Sequence, residues 1–170
     1  FDLVEIRISP NNRHFIMYNN QFLLGKISDS SDKFDVLHFA LYNVEEAVIP
    51  AQVSVVKSLS FSYHNNLKSI KFSPNSELKH IEDYALKECS IESLSLPASV
   101  EHIGSKCFSF TPNLREIEIS PKNKKFKLID GKYIVKESEA ESCVFDVIIF
   151  ARRDIEKIRI PSHIKIISNS

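Results

Sequence analysis

Two histidines occupy the same slot in two stretches of this sequence that resemble each other. His80 lies in the motif LKHI, and His102 lies in the motif VEHI. If these stretches stack as neighbouring units, the two imidazoles lie side by side, and imidazole is a suitable ligand for a transition metal. The same slot holds Val55 and Ile166 elsewhere in the chain, and no cysteine is placed to complete the site. The sequence therefore predicts no metal site.

No other set of residues has the spacing of a catalytic or cofactor-binding motif. The three glycines cannot form a phosphate-binding loop, and no serine or cysteine has the local signature of an activating base. The three cysteines, Cys89, Cys107 and Cys143, share no common spacing. We interpret them as buried or incidental thiols, with a disulfide as the alternative. We therefore predict no catalytic residue and no cofactor, and we expect a protein that is not an enzyme.

The elements that position these residues are set by a short sequence motif, or phrase, that occurs six times. It consists of an aliphatic residue, two variable residues, an apolar residue, one variable residue, another apolar residue, and then Pro or Ser-Pro. A recurring apolar phrase is typical of a solenoid, in which each unit buries its apolar edge against the next. The six instances are Leu3/Ile6/Ile8, Val44/Ala47/Ile49, Leu67/Ile70/Phe72, Ile91/Leu94/Leu96, Leu114/Ile117/Ile119 and Ile155/Ile158/Ile160.

The spacing of the phrase has a second, longer period. Its middle apolar residue advances by about 41, 23, 24, 23 and 41 residues. A shift of about 111 residues lays SPNNRHF on SPKNKKF and FDVLHFA on FDVIIFA, which indicates a duplication. We predict one solenoid domain over residues 1–170, with extended repeats at about 1–50 and 112–161 and ordinary repeats at about 51–111.

The segments between the phrases lead the chain from the end of one strand back to the start of the next, and we call them the returns. Their sequences predict the local structure of the returns and two insertions. After Pro97, the apolar residues Val100 and Ile103 are three apart, a spacing that is typical of a helical or 3-10 turn. Proline fits the strand exit because it lacks the N–H that a central ladder needs. In the extended units, Gln21–Lys26 and Gly131–Glu137 face the FDVLHF and FDVIIF segments across polar stretches. Each pair predicts an inserted hairpin.

The composition argues against two classes of partner. The 22 Lys and Arg residues balance the 22 Asp and Glu residues, so no uncompensated cationic surface is expected for nucleic acid. No apolar run reaches membrane-spanning length, and we expect no membrane insertion within this chain. The chain starts at Phe1 inside a repeat strand and stops at Ser170 inside a return, without a polar capping unit. We therefore expect a fragment of a longer array.

Two stretches of the chain resemble a known family. LPASVEHIGSKCF and HIEDYALKECSIESLSLP are similar to the repeat unit of the BspA-like leucine-rich repeat family. The matching residues are Pro97, Ser99, Val100, Ile103, Gly104 and Phe108 in one unit and Tyr84, Ala85 and Cys89 in another. The resemblance implies a right-handed solenoid in surface proteins of bacteria and mucosal protozoan parasites, with roles in adhesion and protein binding.

Together, the repeats and the resemblance define the expected fold class. It is α/β: a leucine-rich-repeat right-handed solenoid with one parallel sheet, short helical or 3-10 returns and two inserted β-hairpins. The open face of the sheet contains small and charged residues without aromatic anchors. Beside it runs a row of residues whose charges alternate in sign. We interpret this row as a solvated ladder of charges, with a charge-complementary docking strip as the alternative. This row consists of Glu45, Lys68, Glu92, Arg115 and Glu156.

The hairpins carry the aromatic residues that the sheet face lacks. Phe15 and Phe34 match Phe126 and Phe145 in the other extended repeat, which favours a structural role for these rings. Insertions in repeat proteins also carry recognition residues. The candidate protein-contact residues from the hairpins and the sheet are Met17, Tyr18, Lys71, Glu92, Arg115, Glu118 and Arg159.

The leading functional hypothesis is a non-enzymatic, protein-binding solenoid. We expect it to belong to a cell-surface or secreted protein for adhesion or host interaction, with a host surface or extracellular matrix protein as partner. One alternative is an intracellular, cytoplasmic scaffold, since the eleven asparagines form no complete glycosylation sequon. The other alternative is a recognition module attached to an enzyme outside this chain.

Overall fold

The computed structural model describes residues 3–139 and 142–168, so the two chain ends at Phe1 and Ser170 lie outside the described residues. The described chain is a β-solenoid with parallel ladders. Its strands, numbered along the chain, are β1 (Phe15–Tyr18), β2 (Phe22–Gly25), β3 (Val36–Ala40), β4 (Glu46–Ile49), β5 (Val55–Val56), β6 (Ser69–Phe72), β7 (His80–Ile81), β8 (Ser93–Leu96), β9 (His102–Ile103), β10 (Glu116–Ile119), β11 (Phe126–Ile129), β12 (Tyr133–Lys136), β13 (Val147–Ala151) and β14 (Ile166–Ile167).

Four of the six repeated phrases form the main ladder, which has the strand order β10-β8-β6-β4 and is parallel throughout. Side chains alternate between the two faces of a strand, so the apolar residues of each phrase point to the same side. The middle residues stand in register across the ladder, and all of them are buried. These residues are Ala47, Ile70, Leu94 and Ile117.

The first and last phrases do not join this ladder. Residues 3–9 and 155–160 are irregular, and Ile158 and Ile160 are exposed. The main ladder therefore has four strands.

The predicted single parallel sheet is wrong, because the returns form ladders of their own. The short strands β5, β7 and β9 continue from β3 in parallel, and β14 pairs with β13 in the same way. The two residues of each of these short strands, such as Val55-Val56 and His80-Ile81, are extended rather than helical. In β5, β7 and β9 the second residue (Val56, Ile81 and Ile103) lies in the core, and this also accounts for the apolar spacing that suggested a helix.

The helical and 3-10 returns, and with them the α component of the predicted α/β class, are also wrong. Within residues 3–139 and 142–168 the structure has no helix. The ordinary returns contain pairs of residues with positive φ, four positions apart, which no right-handed helix accommodates. Backbone hydrogen bonds between successive repeats, the coils of the solenoid, stabilise these turns. One of them joins Phe61 N to Ala85 O at 2.9 Å. The pairs are Leu59 and Tyr63, Tyr84 and Glu88, and Lys106 and Phe110.

Each extended repeat inserts two further strands beside its return strand. In the first, β2 pairs antiparallel with both β1 and β3, and in the second, β12 pairs antiparallel with both β11 and β13. Tight turns close the outer hairpins, with positive φ at Asn19 and Asn20 in one and at Asp130 and Gly131 in the other. Two successive positive φ values are the signature of a type I′ turn, and the strand register leaves three residues in each connection, between Tyr18 and Phe22 and between Ile129 and Tyr133. The insertions place β1 and β11 at sheet edges.

Candidate functional site

The outward face of the main ladder has serines at its centre and charged residues around them. One row contains Glu46, Ser69, Ser93 and Glu116, and the next contains Val48, Lys71, Ser95 and Glu118. Lys71 and Glu118 are exposed, but β8 lies between their strands, so their side chains belong to different parts of the face. The hydroxyl of Ser69 is buried without a hydrogen-bond partner in the described part of the chain.

Two members of the row of alternating charges, Lys68 and Glu45, form an ion pair. Lys68 Nζ lies 3.5 Å from Glu45 Oε2. Arg115 does not pair with Glu92, because its Nε lies 3.9 Å from Asp154 Oδ2. Exposed pairs of this kind contribute about 0–1 kcal/mol, so a partner could replace them at little cost. Arg159 is exposed in the irregular segment after β13.

The structure places the two hairpin candidates, Met17 and Tyr18, against the core. Both are half-buried and pack on the main apolar cluster. Their equivalents in the second extended repeat are Leu128 and Ile129, which are also half-buried. These two equivalents, unlike Met17 and Tyr18, line a groove.

The groove lies where the second insertion folds beside the exits of the main-ladder strands. It is open to solvent and has a volume of about 1240 Å³. All four residues of β11 line it, together with the final inward residues of β6, β8 and β10 and the prolines that follow them. Its apolar lining includes Phe72, Leu96, Ile119, Leu128 and Ile129. Sequence reasoning missed the groove because it forms between residues that are distant in the repeat pattern.

A second surface that sequence reasoning missed runs along the ordinary returns. We define the return stripe as the residues Leu59, Tyr63, Tyr84 and Phe110, which stand at the positive-φ positions of three successive coils. Phe110 is 71% exposed, Leu59 49% and Tyr63 39%. The missed signal was the alternation in FSY and FSF, where a buried phenylalanine is followed two residues later by an exposed aromatic residue.

Lysines accompany the aromatic rings of the return stripe. Lys87 Nζ lies 5.6 Å from the ring centroid of Tyr63 and 3.4 Å from its hydroxyl oxygen. Lys106 Nζ lies 5.8 Å from the ring centroid of Tyr84. Aromatic residues beside cations are a combination that recurs in protein-binding hot spots.

The residues with potential for metal or thiol chemistry are arranged as follows. His80 and His102 are register partners with ring centroids 6.0 Å apart, which confirms that they stack on adjacent units. In the described ranges, no three His, Cys, Asp or Glu residues are grouped so that they could hold a metal. Burial raises the pKa of the Cys89 thiol to about 12 and raises that of Cys107 as well, so both thiols are unreactive at neutral pH.

A sequence model of one repeat family matches most of this solenoid. The BspA type leucine-rich repeat region matches residues 35–133 in six copies. The chain belongs to this family. No curated protein sequence matches it.

Two solved structures share the fold of this chain. The pneumococcal vaccine antigen PcpA is similar with a TM-score of 0.66 and 26% identity, over 74% of this chain and 30% of that chain. A leucine-rich cell surface protein from Faecalibacterium prausnitzii has a TM-score of 0.60 and 22% identity, over 71% of this chain and 30% of that chain. This chain therefore matches about 30% of the length of each.

The motif residues of the BspA-type repeat are structural in this chain. Val100, Ile103 and Phe108 are buried in the core. A Cβ atom at Gly104 would collide with the backbone of Glu82 and Asp83 in the neighbouring coil, so only glycine fits there. Of the return stripe, Tyr84 is a motif residue, whereas Leu59, Tyr63 and Phe110 are not among the matching residues. The described residues also contain no helix whose length and hydropathy would suit a membrane span.

Proposed function

We propose that this chain is a non-enzymatic, protein-binding repeat module of a cell-surface protein for adhesion or host interaction. Its membership in the BspA-type family and its similarity to a pneumococcal vaccine antigen support this proposal. The partner is a host surface or extracellular matrix protein.

The observation that carries the proposal is the conformation and exposure of Phe110. Its φ is 57°, a left-handed backbone that costs a residue with a large side chain roughly 1 kcal/mol, and its ring is 71% exposed. Neither the backbone nor local packing therefore favours phenylalanine at this position. Large exposed aromatic residues are the side chains that anchor protein partners. The return stripe is thus the primary contact surface.

The charged candidates from the sequence form a second part of this proposal. Lys71 and Glu118 on the main-ladder face, Glu92 and Arg115 beside it, and Arg159 beyond β13 are exposed. Charged residues at the rim of an interface steer association and contribute modestly to affinity. Met17 and Tyr18 are half-buried, so we assign them a supporting role.

The test is direct binding to defined matrix proteins. The immobilised chain is exposed to purified fibronectin, laminin and collagen in biolayer interferometry, and we expect saturable binding to at least one of them. Phe110→Gly should weaken that binding roughly tenfold or more, because an aromatic hot spot contributes about 2 kcal/mol or more. The same variant should keep or raise the free energy of unfolding, since glycine adopts positive φ without strain.

The matched control is Glu88→Gly, at the equivalent position of the preceding coil. Glu88 also has positive φ, at 55°, but it brings no aromatic ring. This variant should relieve the same strain and leave binding within about twofold of the wild type. Equal binding by wild type and Phe110→Gly would contradict the role of the return stripe, and absence of binding to all three matrix proteins would contradict this choice of partner.

The cell-surface location has its own test. Antibodies against this chain should label intact cells that express the full protein. Exclusive staining of the cytosol after permeabilisation would overturn the surface assignment and favour an intracellular scaffold.

A further inference from the structure

The groove beside β11 combines an apolar lining with an edge strand. Phe72, Leu96 and Ile119, the last inward residues of three ladder strands, line one part of it, and the whole of β11 lines another. Within residues 3–139 and 142–168, the sheet order β11-β12-β13-β14 leaves one side of β11 without a partner strand. A sheet edge presents backbone groups that can pair with another extended chain.

The register shows which backbone groups of β11 face away from β12. Phe126 donates its N–H to Asn123 Oδ1 at 2.8 Å, so the pair Phe126 and Lys136 is not a hydrogen-bonded pair of the antiparallel ladder. Hydrogen-bonded pairs alternate along such a ladder, and Lys127 and Ile129 therefore bond to β12. The N–H and C=O of Leu128 are left pointing away from β12, on the side of the groove.

We propose that this groove binds an extended peptide segment of a protein partner, which adds a fifth strand to the sheet along β11. The inference rests on the proposed protein-binding function but uses a surface other than the return stripe. Side chains of an added strand alternate between its two faces. One face would contact Phe72, Leu96 and Ile119, and the other would face solvent. The bound segment therefore has apolar residues at alternate positions and no proline where its N–H meets Leu128 C=O.

The first extended repeat provides a natural control. Met17 is the equivalent of Leu128, and β1 is also an edge strand. Phe15 donates its N–H to Asn12 Oδ1 at 2.9 Å, so β1 has the same ladder alternation as β11. However, no residue of β1 lines this groove. A change at Met17 therefore alters an equivalent edge without altering the proposed site.

The first experiment selects peptides and locates their site. A phage-displayed library of random octapeptides is enriched on the wild-type chain, and the best peptide is synthesised with a fluorescein label. We expect alternating apolar residues in the enriched peptides. Leu128→Pro removes the outward N–H, and Ser95→Arg fills the groove, and each should weaken binding at least tenfold. Met17→Pro and Ser93→Arg, which alter the first edge strand and the same ladder face outside the groove, should stay within twofold.

Amide hydrogen exchange gives a readout that does not depend on variants. The bound peptide should slow exchange of the Leu128 amide at least tenfold, because that N–H becomes part of a ladder, and should leave the Met17 amide unchanged. Because Ser95→Arg does not alter the edge strand, it keeps the test valid if Leu128→Pro fails to fold.

Several outcomes would overturn the inference. These are enriched peptides without apolar alternation, no enrichment at all, or binding that Ser95→Arg leaves intact. Concentration-dependent dimerisation that Leu128→Pro abolishes would assign the groove to a second copy of the chain instead. If a matrix protein binds wild type but the selected peptide binds wild type and Ser95→Arg equally, the proposed function stands and the groove inference fails. If no matrix protein binds wild type, it is the proposed function that fails.

Discussion

Tyr133 and Phe22 occupy equivalent positions in the two extended repeats, and both side chains are fully buried. They differ by one hydroxyl, and the Tyr133 hydroxyl has no hydrogen-bond partner among the described residues. A buried hydroxyl without a partner costs about 1–3 kcal/mol. We therefore expect Tyr133→Phe to raise the free energy of unfolding by about 1 kcal/mol in urea denaturation. The reciprocal change, Phe22→Tyr, should lower it, and stabilisation by Phe22→Tyr would contradict this account.

His64 makes the stability of the fold sensitive to mild acid. The ring is fully buried beside Phe39, Tyr42 and Phe61, and burial lowers its pKa below the ordinary value of 6.5. Because the unfolded state takes up the proton first, the neutral ring contributes full stability above about pH 6.5. This contribution is lost as the pH falls below that value. Burial also lowers the pKa of the half-buried His38, which adds to the loss.

We expect the free energy of unfolding to fall between pH 7.5 and 5.5, by at most about 1.4 kcal/mol per pH unit for each histidine. His64→Thr, which introduces the residue found at the equivalent position 111, should lose part of this pH dependence in urea titrations at the two pH values. The overall stability of this variant should drop by about 2–4 kcal/mol because a smaller side chain leaves a cavity. His163→Thr, at an exposed position, is the control and should keep the wild-type pH dependence. An unchanged pH dependence in His64→Thr would refute the assignment.

One buried aspartate connects each inserted hairpin to the following return. Asp146 accepts hydrogen bonds from Ser138 N and Oγ, both at 2.8 Å, and Lys165 Nζ lies 3.0 Å from its carboxylate. These contacts lower the pKa of Asp146 to about 2, and the Ser138 hydroxyl is the largest cause. The equivalent Asp35 meets Ile27 N and the neutral Ser54 hydroxyl at longer distances of 3.1 and 3.3 Å. The second connection is thus the stronger one.

Asp146→Asn should therefore loosen the second insertion more than Asp35→Asn loosens the first. We expect the Ile166 backbone amide, which bonds to Asp146 O, to exchange several-fold faster in Asp146→Asn. The neutral side-chain amide of the new asparagine cannot form the ion pair that the carboxylate makes with the Lys165 ammonium. The stability that Asp146 contributes is present above pH 3.8 and is lost as the pH falls toward 2. Acid titration of unfolding should show that loss in wild type and not in Asp146→Asn. Equal exchange at Ile166 in the wild type and this variant would contradict the proposed connection.

The sequence predicted the strands of the main ladder correctly, because their residue pattern is compatible with only one structure. The phrases around Ile70, Leu94 and Ile117 predicted the parallel register of the main ladder, because only one face of a strand is buried. Apolar residues three apart are compatible with two structures, a helical turn or a tight turn that leads into a two-residue strand. The prediction of a helical turn was wrong. The groove could not be predicted, since it depends on where β11, which begins at Phe126, lies relative to ladder strands as distant in sequence as β6, which ends at Phe72.

Each coil of the solenoid depends on the neighbouring coil for the burial of its apolar residues. Val55 and Val56 are 8% and 3% exposed beneath β7, whereas the equivalent Ile166 and Ile167, which no described strand follows, are 48% and 62% exposed. The same apolar residues are thus core or surface according to the presence of a stacked coil. The free energy of unfolding of such a chain is approximately the sum of the intrinsic stability of each coil and the contact free energy between neighbouring coils.

This additivity predicts that one whole coil can be removed without loss of the fold. Deleting residues 68–91 joins Leu67 to Glu92 and restores the repeated phrase as LESLSLP, so that β4 can pair with β8 and β5 with β9. We expect a single unfolding transition, a lower stability and an m-value that falls by roughly one seventh, since m scales with the surface exposed on unfolding. Deleting residues 80–91 removes half a coil and breaks the register, so this control should not fold cooperatively. If both deletions unfold with the same loss of cooperativity, stacking of independent coils does not hold this molecule together.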